Sequence, residues 1–295
     1  MRPDLIRQIA AIAGARATVS VTPSLTELDR VARMARERGA ERVVLCGGDG
    51  TFMAGLTALE REYPQGALPE LVFAPAGTVA TVARNWGHAR GLLQTVRRVL
   101  SGAATPALIR PTLRIRDSSG AERVGFMFGT GLVARFFDRY YAAGAGGHPA
   151  ALRIVARVFA GSFVSDAYSR SVLDPLRCVL RVEGRELEPR AYSLVFASVV
   201  RDVGLHLWVC HRAGEDPERP HLVASTLPAR RLGPQALRVF AGKPLQGEGC
   251  FDDLVREFEV RFESDAGPYV LDGDVFHARS VAVLAGPRIR VVTPE

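Results

Sequence analysis

The chain has 295 residues, of which 47% are hydrophobic and 23% are charged. It is too long for one ordinary hydrophobic core and too apolar for a disordered protein, so we expect a folded chain of two domains. No apolar run reaches the ~20 residues of a membrane-spanning helix, and no basic start followed by an apolar stretch marks a signal peptide. The sequence therefore predicts a cytoplasmic protein.

The formal net charge is +7, and Lys243 is the only lysine, so arginine supplies the rest of the positive charge. A basic surface attracts phosphate, nucleic acid or an anionic membrane. We do not expect nucleic acid as a partner, because no binding module and no interleaving of aromatic and basic residues is present. The four cysteines lack metal-ligand spacing, which favours buried thiols over a disulfide framework; they are Cys46, Cys178, Cys210 and Cys250.

The first elements are two helices and a strand. Residues 1–14 have the apolar spacing of a helix. The run Ser24-Leu25-Thr26-Glu27 is a capping box, which predicts a helix from there to about Arg38, closed by Gly39. An apolar strand follows over residues 42–46.

That strand runs directly into Gly47-Gly48-Asp49-Gly50-Thr51. Glycines let backbone N–H groups approach phosphate oxygens without a Cβ in the way, and the start of a helix favours an anion. We expect Thr51 to open that helix. A tight turn without a ligand is the alternative, but Asp49 would repel phosphate unless it handled a metal ion or the proton of an attacking hydroxyl.

A second turn repeats this arrangement. A strand over residues 71–74 leads to Gly77 and Thr78, followed by predicted helices over 78–86 and 89–100. The alternation of strands and helices implies a parallel sheet with helices packed against it. Two such turns at the carboxyl ends of neighbouring strands predict a nucleotide site.

The pattern changes beyond Pro106. Many short strands with polar turns predict a β-sandwich-like second domain over residues 108–285, after an α/β domain over residues 1–107. Residues 286–295 form a C-terminal tail that is expected to return to the first domain. Beyond the strands around residue 120, we predict strands over 176–183, 191–200, 205–210, 254–262, 269–272 and 280–284.

A helical insertion is predicted at about residues 131–163. The helix from Pro149 to Phe163 has one apolar face, with Arg153 and Arg157 one turn apart on another. Two interpretations stay open: an ordinary helix that faces the core, or a cap over an acyl-chain groove whose arginines face lipid headgroups.

Three motifs together carry a family resemblance. Gly-Gly-Asp-Gly-Thr at Gly47–Thr51, Pro-x-Gly-Thr at Pro75–Thr78 and Leu271-Asp272-Gly273-Asp274 resemble the catalytic domain of diacylglycerol, sphingosine and ceramide kinases, with NAD kinases as distant relatives. The resemblance implies that Gly47 to Thr51, Gly77 and Thr78 contact ATP. It implies that Asp272 and Asp274 are catalytic carboxylates, with Asp49 positioning a metal ion or a hydroxyl.

The sequence departs from this family at several points. The usual first strand and its phosphate-binding turn are missing or replaced by the helix over residues 1–14. Ala80 stands where asparagine is common, and Asp274 stands where glutamate is usual. A shorter carboxylate still permits the chemistry but requires a closer substrate.

The resemblance implies an ATP- and Mg²⁺-dependent kinase that phosphorylates the primary hydroxyl of a membrane lipid, either ceramide, a sphingoid base or diacylglycerol. The enzyme would meet this lipid peripherally at the inner face of an anionic membrane. The alternatives are a soluble NAD-kinase-like enzyme and a non-catalytic protein that binds a nucleotide or lipid on the same fold.

Metal-ligand patterns are weak elsewhere. His206, His211 and His221 lack a matching carboxylate in the sequence, so we do not expect a zinc site. Residues 212–217 stand where related lipid kinases have an acidic loop that binds magnesium. Here only Glu215 and Asp216 are candidates, and a solvated turn is at least as good an interpretation.

Overall fold

The computed structural model describes residues 3–64, 67–76, 80–88, 90–102, 106–144, 147–164 and 166–293, without the side chain of residue 148. The chain divides into two compact units: Met1–Arg110 together with Pro287–Glu295, and Pro111–Gly286. Within the described ranges, no helix is long and apolar enough to cross a membrane.

The first unit is built on a four-stranded sheet. Its elements are α1 (Pro3–Ala13), α2 (Leu25–Glu37), β1 (Arg42–Gly47), α3 (Asp49–Glu62), β2 (Glu70–Pro75), α4 (Thr81–Asn85), α5 (Leu92–Leu100), β3 (Ala107–Arg110) and β17 (Ile289–Val292). The strand order is β1-β2-β17-β3, in which β1, β2 and β17 are parallel and β3 is antiparallel to β17. The last strand of the chain thus lies inside this sheet.

Local sequence explains where these elements begin and pack. The Ser24 hydroxyl accepts the N–H of Glu27 at 3.2 Å, which starts α2 as the capping pattern predicts. In the core, the Phe52 ring of α3 lies 4.8 Å from the Phe73 ring of β2, and Trp86 lies 5.5 Å from Phe73 on its other side. These aromatic contacts pack α3 and the end of α4 against the sheet.

The second unit contains two antiparallel sheets and a set of helices. Its elements are β4 (Leu113–Asp117), β5 (Glu122–Gly125), β6 (Met127–Gly131), α6 (Leu132–Ala142), α7 (Gly147–Val164), α8 (Ala167–Leu173), β7 (Leu176–Val182), β8 (Arg185–Glu186), β9 (Ala191–Tyr192), β10 (Leu194–Ser198), β11 (His221–Ser225), α9 (Ala229–Leu232), a short 3₁₀ turn (Gly233–Gln235), α10 (Ala236–Phe240), β12 (Cys250–Leu254), β13 (Glu257–Phe262), β14 (Gly267–Leu271), β15 (Asp274–Ala278) and β16 (Ser280–Ala285).

The two sheets pack face to face. One has the order β12-β11-β10-β6-β14-β15, and the other has the order β5-β4-β16-β13-β7-β8 with β9 beside β7. Phe128 of the first sheet and Phe258 of the second meet edge to face, with ring centroids 5.6 Å apart. The predicted combination of an α/β domain on a parallel sheet with a domain of antiparallel strands is confirmed.

Several element predictions differ from the structure. Residues 205–210 form turns instead of the predicted strand, because Leu205 and His206 take φ values of 54° and 57°, which a strand does not allow. The predicted strand over 254–262 is the end of β12 followed by β13. The sequence pattern missed β3, β8, β11, β15 and β17 and most of β6 and β12, and the helical insertion extends through α8 to Leu173.

The cysteines are free thiols, as predicted. Cys178 and Cys210 are buried, whereas Cys46 and Cys250 are half-buried. Desolvation raises the pKa of Cys178 to about 12 and that of Cys46 to about 11. These thiols are therefore protonated at neutral pH and serve as packing groups.

Candidate functional site

The first glycine turn joins β1 to α3. A Cβ at Gly47 would lie 2.4 Å from the side chain of Thr51, so packing alone requires glycine there. At Gly48 a Cβ would meet no atom of the described residues within 4 Å. Gly48 is also the N-cap of α3 and has no side chain to accept the first N–H groups of the helix. The turn therefore presents N–H donors beside open space, as an anion site requires.

The helix begins at Asp49, two residues before the predicted start at Thr51. The Asp49 carboxylate accepts the N–H of Thr81 at 2.8 Å and the N–H of Val82 at 3.0 Å. It thereby caps α4, which has no cap from its own N-terminal residue. Burial raises the pKa of Asp49, and these hydrogen bonds act in the opposite direction.

The two turns are also joined through the backbone. The N–H of Ala76 donates to the carbonyl of Gly47 at 2.9 Å, next to the paired strand ends Gly47 and Pro75. Gly77 and Thr78 lie outside the described residues. Ala80, which ends the second turn, is buried with φ of 22° and ψ of 57°, close to the left-handed region. An asparagine tolerates such a conformation better than alanine does, which gives a physical reason why asparagine is common at this position in the family that the chain resembles.

The third motif forms a hairpin turn. Asp272 and Gly273 have φ values of 51° and 94° between the paired residues Leu271 and Asp274, as in a two-residue turn of type I′. Asp-Gly suits this turn because both positions require positive φ. The motif is therefore a well-formed connection between β14 and β15.

The two carboxylates of this turn have different surroundings. Asp272 is buried, and its oxygens accept the N–H groups of Phe126 and Met127, each at 3.0 Å. Asp274 is exposed, and its carboxylate makes no hydrogen bond to any residue that the structure describes. Partial desolvation by neighbouring atoms nevertheless raises its pKa. Asp272 is thus a backbone anchor, whereas the carboxylate of Asp274 is accessible to a substrate.

Helix α6 covers one side of this turn. The hydroxyl of Tyr141 donates to the carbonyl of Gly273 at 2.7 Å, and a Cβ at Gly273 would lie 3.6 Å from the ring of Phe137. Desolvation raises the pKa of Tyr141, and the charge of Asp274 acts in the same direction. The α6 aromatic cluster consists of Phe136, Phe137, Tyr140 and Tyr141. Apolar ring surface therefore lies beside Asp274.

Sequence reasoning missed two residues that shape this turn. A Cβ at Gly125 would lie 2.3 Å from Oδ2 of Asp272, so glycine allows the carboxylate to approach β5. Tyr141 supports the turn from another element. The only sequence signal for Gly125 was a glycine inside a strand pattern, which indicates a close approach of backbone or ligand.

Helix α7 faces the core with part of its apolar side chains, and its alternative interpretation as a cap over an acyl-chain groove stays a prediction. Ile154 is buried and Val158 packs against the core of the second unit, as in an ordinary core-facing helix. Leu152, Phe163 and Val164 are exposed on the same helix. Some apolar side chains of α7 are thus buried in the core, and others are exposed to solvent.

A wider helical face contains these exposed residues. Helix α7 packs against α9 and the 3₁₀ turn, and α10 follows directly. The N–H of Trp208 donates to the carbonyl of Val239 at 3.3 Å, which places Trp208 beside α10. We define the helical face by its exposed apolar side chains: Leu152, Phe163, Val164, Trp208, Leu237 and Phe240. In the sequence, residues 139–165 and 219–247 contain arginines and Lys243 but no aspartate or glutamate.

The loop at residues 212–217 has the character of a solvated turn. The Glu215 carboxylate accepts from Nε of Arg212 at 3.2 Å, and Asp216 accepts the N–H of Glu218 at 2.8 Å. Both carboxylates thus have protein partners, as in an ordinary polar loop.

Comparison with known proteins agrees with the motifs. Residues 2–109 match the family model of the diacylglycerol kinase catalytic domain. The resemblance to this family is thereby confirmed over the part of the chain that holds both glycine turns. Among curated proteins, none matches this sequence.

Solved structures extend the likeness to the second unit. A diacylglycerol kinase from Bacillus anthracis strain Sterne is 13% identical with a TM-score of 0.60, covering 98% of this chain and 90% of its own. A candidate diacylglycerol kinase from the same strain is 13% identical with a TM-score of 0.64, covering 92% and 84%. At this identity the likeness establishes a shared fold over nearly the whole chain.

Proposed function

We propose that this protein is an ATP-dependent lipid kinase. It would transfer the γ-phosphate of ATP to the primary hydroxyl of a membrane lipid, either ceramide, a sphingoid base or diacylglycerol. The observation that carries the proposal is the family match over residues 2–109, in which the uncapped glycine turn offers N–H donors to phosphate. Gly47 to Thr51, together with Gly77 and Thr78, would hold the phosphates.

Asp49 and magnesium would act together in this proposal. The Asp49 carboxylate accepts two backbone N–H groups and a hydrogen bond from the Thr81 side chain. Of its roughly four lone-pair positions, the remaining one would hold Mg²⁺ or orient the acceptor hydroxyl. Mg²⁺ prefers such carboxylate oxygens and, when bound, would neutralise charge on the phosphates. The hydrogen bonds of Asp49 fix its oxygens before any ligand arrives.

Asp274 is the better general-base candidate of the two C-terminal carboxylates. Its carboxylate is exposed and has no described hydrogen-bond partner, whereas both oxygens of Asp272 accept backbone N–H groups. A raised pKa makes Asp274 a better proton acceptor toward an alcohol. A carboxylate remains a weak base for this purpose, so most of the rate would come from alignment and charge neutralisation.

Two surface features support a lipid acceptor over a soluble one. The α6 aromatic cluster lies beside Asp274 and would pack against hydrocarbon. The helical face has exposed apolar side chains, and the segments 139–165 and 219–247, which carry most of them, contain arginines and Lys243. Such a surface suits peripheral contact with an anionic membrane, in which apolar groups enter the interface and arginines attract the headgroups.

An ADP-release assay on a panel of ceramide, sphingosine, diacylglycerol and NAD tests the proposed activity. We expect release with one lipid class and none with NAD. Asp274→Asn should lower kcat by roughly 10²–10⁴ with ATP affinity nearly unchanged, as for loss of a general base. Activity on NAD alone would identify an NAD-kinase-like enzyme, and nucleotide binding without turnover would identify a non-catalytic relative.

The phosphate assignment has its own test in Gly48→Val. Because a Cβ at this position would meet none of the described residues within 4 Å, the variant should fold normally. Its side chain would occupy the space that the phosphates need, so calorimetry should show weaker ATP binding. Unchanged ATP affinity would place the phosphates elsewhere.

Liposome sedimentation tests the membrane contact. We expect binding to vesicles with anionic lipid that weakens across a salt series, because exposed charges are screened over ~8 Å at physiological ionic strength. The double variant Leu237→Glu with Phe240→Glu should lose binding, while Leu25→Glu, at an exposed position of α2, should retain it. Binding that ignores lipid charge and salt, or full activity without vesicle binding, would contradict peripheral attachment.

A further inference from the structure

A cluster of metal-ligand side chains lies at one edge of the six-stranded sheet. His211, His221 and Asp252 each offer a ligand atom, and these atoms lie within 4.8 Å of one another. Asp252 is paired with Val223, two residues after His221, and alternation along the strands puts His221 and Asp252 on the same face of the sheet. The histidine spacing did not reveal this carboxylate because Asp252 lies 31 residues after His221 in the sequence.

The hydrogen bonds of the cluster leave two buried atoms unpaired. Nε2 of His221 lies 2.7 Å from Oδ1 of Asp252, and the His221 side chain is fully buried. Oδ2 of Asp252 and Nδ1 of His211 are buried without a hydrogen-bond partner among the described residues. Buried polar atoms in folded proteins are nearly always paired, so two orphans at one point indicate a missing ligand.

We propose that His211, His221 and Asp252 bind a divalent transition-metal ion of the zinc type. Two imidazole nitrogens and one carboxylate oxygen suit Zn²⁺, whereas Mg²⁺ prefers oxygen ligands alone. Tetrahedral bonds of ~2.0–2.1 Å separate ligand atoms by about 3.3 Å. The ion would draw the more widely spaced ligand atoms, which lie within 4.8 Å of one another, inward, and would separate Nε2 of His221 from Oδ1 of Asp252, now 2.7 Å apart. Water takes the fourth position.

Binding also requires one proton to move. The N–H of Arg212 donates to Nδ1 of His221 at 3.4 Å, which places the imidazole proton on Nε2. When zinc binds at Nε2, that proton moves to Nδ1, and the imidazole stays neutral. A protonated Nδ1 can no longer accept the N–H of Arg212, so this hydrogen bond is lost. At 3.4 Å it is long for a hydrogen bond.

The site would hold an irregular segment in place. Residues 199–220 contain neither helix nor strand, and His211 lies in this segment. His221 and Asp252 lie on β11 and edge strand β12 of the sheet that also contains β14 and β15. A bound ion would fix the segment to that sheet and stabilise the second unit. This role is independent of the proposed kinase activity.

Zinc binding is tested on the full chain after removal of metal with a chelator. Elemental analysis after exposure to Zn²⁺ and desalting should find one equivalent of zinc, and the unfolding temperature should rise with Zn²⁺ but not with Mg²⁺. Asp252→Asn and His211→Gln should weaken zinc binding at least ~100-fold. Their matched controls are Asp253→Asn and His206→Gln, whose side chains are exposed and which should bind zinc like the original protein.

Three results would overturn the proposal. They are the absence of stoichiometric zinc, an equal thermal shift with Mg²⁺, and unchanged zinc binding in both His211→Gln and Asp252→Asn. Should Asp252→Asn fail to fold, His211→Gln decides, because the half-buried His211 makes no hydrogen bond through Nδ1 that the substitution would break. If metal-free His211→Gln unfolds at the same temperature as the metal-free original protein, the fold of the variant is intact.

Discussion

The two acidic turns of this protein use a carboxylate in the same way. Asp49 in the first unit and Asp272 in the second each accept two backbone N–H groups from a segment distant in sequence. The surroundings differ. The hairpin turn at Asp272 has residues that suit its conformation, whereas the segment held by Asp49 begins at Ala80, an alanine near left-handed geometry. An aspartate in a motif that resembles a catalytic one can thus be a structural anchor, and the two turns should respond differently to substitution.

The largest effect is expected at Asp272. Asp272→Asn keeps one acceptor oxygen and puts an NH₂ group against a backbone N–H, so the free energy of unfolding of the second unit should fall by about 2–3 kcal/mol. Denaturant titration checks this value. Asp274→Asn is the matched control in the same turn, because its exposed side chain anchors nothing. Equal stability of the two variants would contradict the anchor role.

Acid should weaken the first unit next. His88 lies just after α4, is buried and has no hydrogen-bond partner for either ring nitrogen among the described residues. Desolvation, aided by the charge of Arg110, lowers its pKa from 6.5 to about 4. Between pH 6.5 and pH 4, His88 is therefore protonated in the unfolded chain but neutral in the folded unit. The free energy of unfolding of the first unit thus decreases as the pH falls from 6.5 toward 4. The loss is roughly 2 kcal/mol at pH 5.

The two tryptophans allow this loss to be assigned to one unit. Trp86 lies in the first unit and Trp208 in the second. In a Trp208→Phe background, denaturant titration followed by Trp86 fluorescence should show the acid effect, and His88→Leu should remove most of it. His277→Leu changes an exposed histidine and should leave the effect unchanged. If the first unit still loses stability at low pH in the His88→Leu variant, groups other than His88 cause the loss.

Sequence reasoning located the turns but not their partners. Glycine spacing and strand patterns indicated the fold class and the first glycine turn, because these signals are local. The N–H groups held by Asp272 lie about 146 residues earlier, and Asp252 lies 31 residues from His221. Such pairs arise from strand order in the folded sheets. For the same reason the zinc-type cluster was not expected from histidine spacing alone.

A smaller loss is expected at Asp49. Asp49→Asn leaves one oxygen for two N–H groups, which should reduce the stability of the first unit by about 1–2 kcal/mol, as for the loss of a helix cap. Urea titration followed by Trp86 fluorescence measures it. Asp4→Asn removes a carboxylate that is exposed on α1 and serves as the control. A loss as large as that of Asp272→Asn would remove the difference between the two turns.

The smallest effect should have the opposite sign. Alanine near the left-handed region costs roughly 1 kcal/mol that glycine does not incur, so Ala80→Gly should stabilise the first unit by up to about 1 kcal/mol. Ala83→Gly is the matched control, since it places glycine inside the same helix and should destabilise by about 1 kcal/mol. Opposite shifts in the urea midpoint would locate the strain at the second turn. Destabilisation by both substitutions would mean that Ala80 bears no strain, and the physical reason for asparagine at this position would fail with it.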